Sequence, residues 1–202
     1  MVRLIGRNGR FRGRRALFSN ALAARSGSGF LDAVKAELRA QIEFFLEAGV
    51  QPRHVTTHLH FHTVPSLSAI VCELARDYHV AWLRNNSLRR AVVPFNVFVT
   101  AVQGTVGADP SCLIPSPDYM LALQFWMPYV SPERLAARLL GLEGVIELVI
   151  HPCREADPSY PHGIAYAPRR RFREMQYFER LVHCLTTEYP TEFRLAHMGD
   201  VR

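Results

Sequence analysis

Three histidines at alternate positions, His58, His60 and His62, are the first residues whose types and spacing could do chemistry. In an extended segment alternate side chains share a face, so these rings could converge on one point, and neutral imidazole is a common ligand of divalent metals. One histidine alone is more often a core or surface residue, whereas three at period two favour a site. Such a site would still draw ligands from elsewhere, because neighbouring strand positions seldom fill a tetrahedral shell. His151, placed before Pro152 at the end of an apolar run, is a second candidate. Arg84, directly after Trp82-Leu83, offers forked donors that could orient a carboxylate or a sugar oxygen, although a surface ion pair would use it equally well. No nucleophile elbow, P-loop or dinucleotide fingerprint is present.

These residues need elements to carry them. Apolar positions from Phe30 through Leu31, Val34, Leu38, Ile42 and Phe45 predict a helix, with Gly49 where a left-handed cap would fall. The stretch His54 to Phe61 begins β-branched and then alternates, which predicts a short strand running into a loop. Pro65 can open a second helix with the stripe Leu67, Ile70, Val71, Leu74 and Tyr78, followed by a strand at Val80 to Leu83. Residues 85 to 118, with an apolar stretch at Phe95 to Val102, support no assignment. Ser131 and Pro132 start a helix through Leu140, and Val145 to Ile150 reads as a buried strand stopped at His151. A final helix from about Arg171 to Glu188 should turn Phe172, Met175, Phe178, Leu181, Val182 and Leu185 inward. Residues 1 to 29 read as an irregular basic lead-in with one short helix near Ala16 to Ala24.

Alternating helices and strands predict an α/β fold, with a mostly parallel sheet or an incomplete β/α barrel. Both candidate sites would then lie at C-terminal strand ends of a single domain spanning residues 1–202. Composition narrows the class: 202 residues at 49% hydrophobic content suit a globular domain, and no apolar run is long enough for a membrane span or a signal-peptide core. The expected address is the cytoplasm, and the four dispersed cysteines, Cys72, Cys112, Cys153 and Cys184, are expected to be reduced core thiols. The net charge of +6 is concentrated in the first 15 residues and in Arg169, Arg170, Arg171 and Arg173, which reads as a solvated basic face rather than a nucleic-acid site.

The chain also resembles a known family, the YdjC-like (ChbG/HpnK) deacetylases. Pro52-Arg53-His54-Val55-Thr56-Thr57-His58-Leu59-His60-Phe61-His62, followed by Pro65, is similar to the family pattern P-T-H-L-D-S-H-x-H-x-H with a later Pro. Asn8-Gly9-Arg10-Phe11 resembles D-G-x-F, the helix from Glu37 to Glu43 with Gly49 resembles E-L-x-x-Q-I, Trp82-Leu83-Arg84 resembles a strand ending in Arg, and Glu147-Leu148-Val149-Ile150-His151-Pro152 resembles E-L-M-C-H-P.

The resemblance implies a polysaccharide deacetylase-type barrel and removal of acetyl groups from an N-acetylated sugar or glycolipid. It implies a divalent metal, Mg²⁺ or Zn²⁺, with His58 at the metal-binding position, to which the period-two spacing adds His60 and His62 as candidate ligands. By the resemblance His151 is the acid or base, and Arg84 is a substrate-contact candidate from its place after the strand. A homo-oligomer is compatible with it. The family's Asp-Asp-x-Gly and G-x-H segments have no counterpart before Leu4, and its Asp before the metal histidine is replaced by Thr56. On that basis the expectation is an N-terminally truncated chain with weak metal binding and low turnover. Two other readings are an amidohydrolase-type metal enzyme and a non-catalytic basic binding module.

Overall fold

The computed structural model describes residues 4–6, 9–25, 27–57, 61–62, 64–84, 112, 114–152 and 168–196. The chain divides into two compact units, Met1–Pro117 with Met198–Arg202, and Asp118–His197.

In the first unit, helix α1 (Arg14–Ala23) is followed by α2 (Gly29–Glu47), β1 (His54–Val55), α3 (Pro65–Asp77) and β2 (Trp82–Leu83). The Ser28 hydroxyl accepts from Leu31 N and starts α2. Gly49, at φ +77°, ends that helix as the spacing predicts. Its N–H donates to Leu46 O, and Val50 N donates to Phe45 O, the paired bonds of a Schellman cap. Pro65 opens α3 without losing a helical bond, and Leu67, Ile70, Val71 and Leu74 are all buried. A core joins Ala21, Phe30, Leu31, Val64, Leu67, Ile70 and Leu74 across the three helices. The Lys35–Glu73 ion pair (2.7 Å) links α2 to α3, and that hydrogen bond holds the Glu73 carboxyl below its ordinary range.

The first residues are more ordered than their composition suggests. Ile5 and Phe11 form an antiparallel bridge, and α1 contributes Ala21 to the core and accepts the Ser66 hydroxyl at Ala21 O (2.8 Å). The short helix expected near Ala16 to Ala24 is α1, anchored by buried Ala21 with Leu17 and Phe18 beside it.

β1 and β2 pair in parallel, His54 opposite Trp82 and Val55 opposite Leu83. β1 is shorter than the expected run, and Phe61 and His62 lie in a 3₁₀ turn rather than in extended chain. The expectation for the cysteines fails for one pair: Cys72 of α3 is disulfide-bonded to Cys112, with Cα atoms 5.7 Å apart. The pairing is made by tertiary packing across 40 residues, in a small cluster with Val71 and Leu83, so no local motif announces it.

The second unit contains β3 (Tyr119–Ala122), α4 (Leu123–Trp126), α5 (Pro132–Leu139), β4 (Ile146–Val149) and α6 (Pro168–Thr187). β3 and β4 are parallel with Tyr119 opposite Ile146 and Ala122 opposite Val149. Asp118 Oδ2 accepts from Val145 N (2.8 Å) and fixes the entry of both strands. Gly144, at φ +118°, makes room for that carboxylate, into which an added Cβ would run. The Ser131 cap and Pro132 start α5 as the sequence predicts.

Among the described residues the strands form two separate two-stranded parallel sheets, which agrees with an α/β fold but does not make a barrel. Residues 85–111, including Phe95 to Val102, lie outside the described residues.

The inward face of α6 also differs from expectation. Phe172 is exposed, and the buried positions are Glu174, Tyr177, Leu181, Cys184 and Leu185. The helix is turned so that the Tyr177 hydroxyl reaches Val130 O (2.9 Å) and Glu174 reaches His151. Two polar side chains on the inner face displace an aromatic ring to the surface.

Candidate functional site

In the second unit the candidate centre is a histidine backed by a buried carboxylate. β4 ends at Val149, and two residues later His151 sits at the C-terminal end of the parallel pair, where α/β folds gather functional groups. Its Nδ1 lies 3.3 Å from Glu174 Oε1. The His151 side chain is 37% exposed and that of Glu174 is 0% exposed, so one end of the pair meets solvent and the other is enclosed. An ionised carboxylate in an enclosed place needs hydrogen-bonded or charged partners, and an imidazole beside it is held in one orientation. In the tautomer where Nδ1–H donates to Glu174, Nε2 is the nitrogen that carries the lone pair.

Glu174 is the member of this candidate centre that sequence reading missed. Its only signal is helical spacing: positions 174, 177, 181 and 184 share a face, so a glutamate stands where an apolar residue would be expected. Tyr177, one turn further on, is anchored on Val130, and burial pushes its hydroxyl up to about 12. Burial likewise raises the Cys184 thiol above its ordinary value, which makes it a packed rather than a reactive group.

In the first unit, β1 runs into Thr56 and Thr57, and the chain then returns to bury His62 at 4% exposure. Thr57 Oγ1 accepts from His62 N (2.8 Å) and lies 2.8 Å from His62 Nδ1. One hydroxyl thus holds both the backbone and the ring of His62, and ligation by His62 would run through Nε2, in the tautomer where Nδ1–H donates to Thr57. The period-two argument does not reach His62, because the turn at Phe61 and His62 breaks the alternation. His58 and His60 lie outside the described residues, and among the described residues no three His, Cys, Asp or Glu side chains come together as a metal site.

Arg84 follows β2 as expected, with its N–H donating to Val55 O (3.1 Å) and its side chain half-buried. Thr56 is exposed, so the orienting hydroxyl belongs to its neighbour Thr57. Among the described residues no helix is long and apolar enough to cross a membrane.

A carboxylate-backed histidine after a parallel strand is a group that can hold and move a proton. The model of the YdjC-like protein family matches residues 1–181, and the chain belongs to that family. A carbohydrate deacetylase of Vibrio parahaemolyticus serotype O3:K6 is 28% identical over 129 residues, covering 62% of this chain and 42% of that protein. A carbohydrate deacetylase of Clostridium beijerinckii is 36% identical over 53 residues, covering 26% of this chain and 22% of that protein. The matched stretches thus span less than half of each relative. In fold the chain is similar to a proposed cellobiose-phosphate cleavage protein of Enterococcus faecalis V583, with a TM-score of 0.63 and 21% identity over 96% of this chain and 67% of that one.

Proposed function

We propose that the chain acts as a carbohydrate deacetylase, hydrolysing the amide of an N-acetylated sugar or glycolipid to acetate and a free amine. The observation that carries the reading is the contact of His151 with buried Glu174 at the end of β4, in a chain whose residues 1–181 match a family with carbohydrate deacetylases among its relatives. Water adds to the acetyl carbonyl carbon, and the resulting tetrahedral species expels the amine only when the nitrogen gains a proton. His151 in its protonated form can deliver that proton from Nε2, while Glu174 accepts from Nδ1–H and fixes the orientation of the ring. Arg84 is proposed to hold a substrate oxygen through its forked donors.

A divalent ion, Mg²⁺ or Zn²⁺, is proposed at His58 with His60 and His62; when bound it would polarise the carbonyl and ease ionisation of water. Thr57 supports this assignment by restraining the His62 ring through Nδ1, as the outer partner of a ligating histidine does.

The test is release of labelled acetate from N-acetylated chito-oligosaccharides under single-turnover conditions with Mg²⁺ or Zn²⁺. His151→Ala should slow release by roughly a hundredfold or more, the usual scale of general acid catalysis. Equal rates in the variant and the parent chain would remove His151 from the reaction.

A further inference from the structure

Beside the second unit's histidine centre, α6 carries a set of arginines that the deacetylase reading does not use. A cavity of about 580 Å³ lies between α6 and the turn that precedes α5. Met127, Pro128 and Pro132 give it an apolar floor, while Arg169, Arg170, Arg173 and Arg180 line its wall. No acidic side chain lines it among the described residues.

The arginines are not equivalent. Arg180 is spent on Glu133 (2.5 Å), and Arg170 donates to Gln124 O (3.2 Å) while keeping its charge. Arg169 and Arg173 are exposed, one helical turn apart, and neither has a partner among the described residues. Residues four apart on a helix are neighbours on its surface, so two guanidiniums face one space with their donors unspent. Like charges at that spacing repel, and Arg169, Arg170 and Arg171 crowd the first turn of α6, which has no acidic residue to offset the positive end of the helix dipole. An anion seated between Arg169 and Arg173 relieves both costs.

We propose that this cavity is a binding site for a phosphate monoester with a compact, partly apolar body. Two guanidinium forks match the acceptor oxygens of a phosphate dianion, and the Met127, Pro128 and Pro132 floor matches the body of the ester. The stripe of Arg169, Arg173, Gln176 and Arg180 lies on a different face of α6 from Glu174, so this site does not depend on the deacetylase reading.

Phenyl phosphate and inorganic phosphate are the probes, each titrated into the full chain by calorimetry, with thermal midpoints followed in parallel. Both should bind saturably, phenyl phosphate more tightly, and the double variant Arg169→Gln/Arg173→Gln should weaken both by roughly tenfold or more. Arg169→Lys/Arg173→Lys should retain part of the affinity, and Arg39→Gln/Arg53→Gln, which removes two charges from the first unit, should retain all of it. Chloride at equal ionic strength giving the same thermal shift would reduce the effect to charge screening and overturn the proposal. Unchanged affinity in the Arg169/Arg173 glutamine variant would also overturn it, as would saturable binding of a single-stranded oligonucleotide without any of phenyl phosphate.

Discussion

The two units each hold a histidine just beyond a short parallel strand, and they hold it by different means. His62 is fixed by a neutral hydroxyl five residues away, Thr57, through one ring contact and one backbone contact. His151 is fixed by a carboxylate 23 residues away on another element, Glu174 of α6. A hydroxyl can donate or accept and so tolerates either neutral tautomer, whereas an ionised carboxylate only accepts and so selects the tautomer with its proton on Nδ1. The first arrangement leaves the choice of tautomer open, and the second fixes it from a distant element. Glu174 also depends on how α6 is seated, so long-range packing controls the second histidine and local chain geometry controls the first.

Removing the distant carboxylate is the sharpest way to break this contrast. Glu174→Gln keeps the volume and loses the charge, and it should lower acetate release by about ten- to a hundredfold, the scale seen when an outer partner of a functional histidine is lost. The loss should fall on kcat rather than KM, because Glu174 acts through His151. A drop confined to thermal stability, with kcat unchanged, would make Glu174 structural only.

The local arrangement can be tested in the same way with a smaller effect. Thr57→Val removes both hydrogen bonds to His62 while keeping the β-branched shape. It should cost roughly 1–2 kcal/mol of stability, since two modest bonds are lost and a buried imidazole edge is left to find other partners. Urea midpoints of Thr57→Val and the parent chain would measure this, and equal midpoints would show that the His62 turn is held by apolar packing of Phe61 and Val64 instead.

The same contrast explains what the sequence made legible. α2, α3 and α5 were readable because a start or stop signal borders each element: Gly49 after the stripe from Phe30 to Phe45, Pro65 before Leu67 to Leu74, and Ser131 with Pro132. β3 and α4 were not, because Tyr119 to Trp126 is an almost unbroken apolar run whose period distinguishes neither strand nor helix. His151 was found from the strand that precedes it. Its partner was not, because a single glutamate in an arginine-rich helix looks solvated until the helix is docked. The Cys72–Cys112 bond escaped for the same reason, being set by packing across 40 residues.

The smallest effect concerns how α6 is seated, and it carries a pH signature. Tyr177 is one turn beyond Glu174 on the buried face, and its hydroxyl donates to Val130 O (2.9 Å). Burial raises its pKa from 10.0 to about 12, so the folded chain favours the neutral phenol more than the unfolded chain does. A group with a raised folded value contributes stability that is fully present below the unfolded value and is lost as pH climbs through the folded one. The window is therefore pH 10 to 12. Below it, Tyr177→Phe should cost about 1 kcal/mol, the worth of one hydrogen bond. Across it, the parent chain should lose stability faster than the variant, because only the parent must keep a buried phenol protonated or pay to ionise it, and the gap between their urea midpoints should close. A gap that stays constant from pH 7 to 12 would mean that Tyr177 is wet in solution, and that α6, with Glu174 on it, is held by Leu181 and Leu185 rather than by the Val130 anchor.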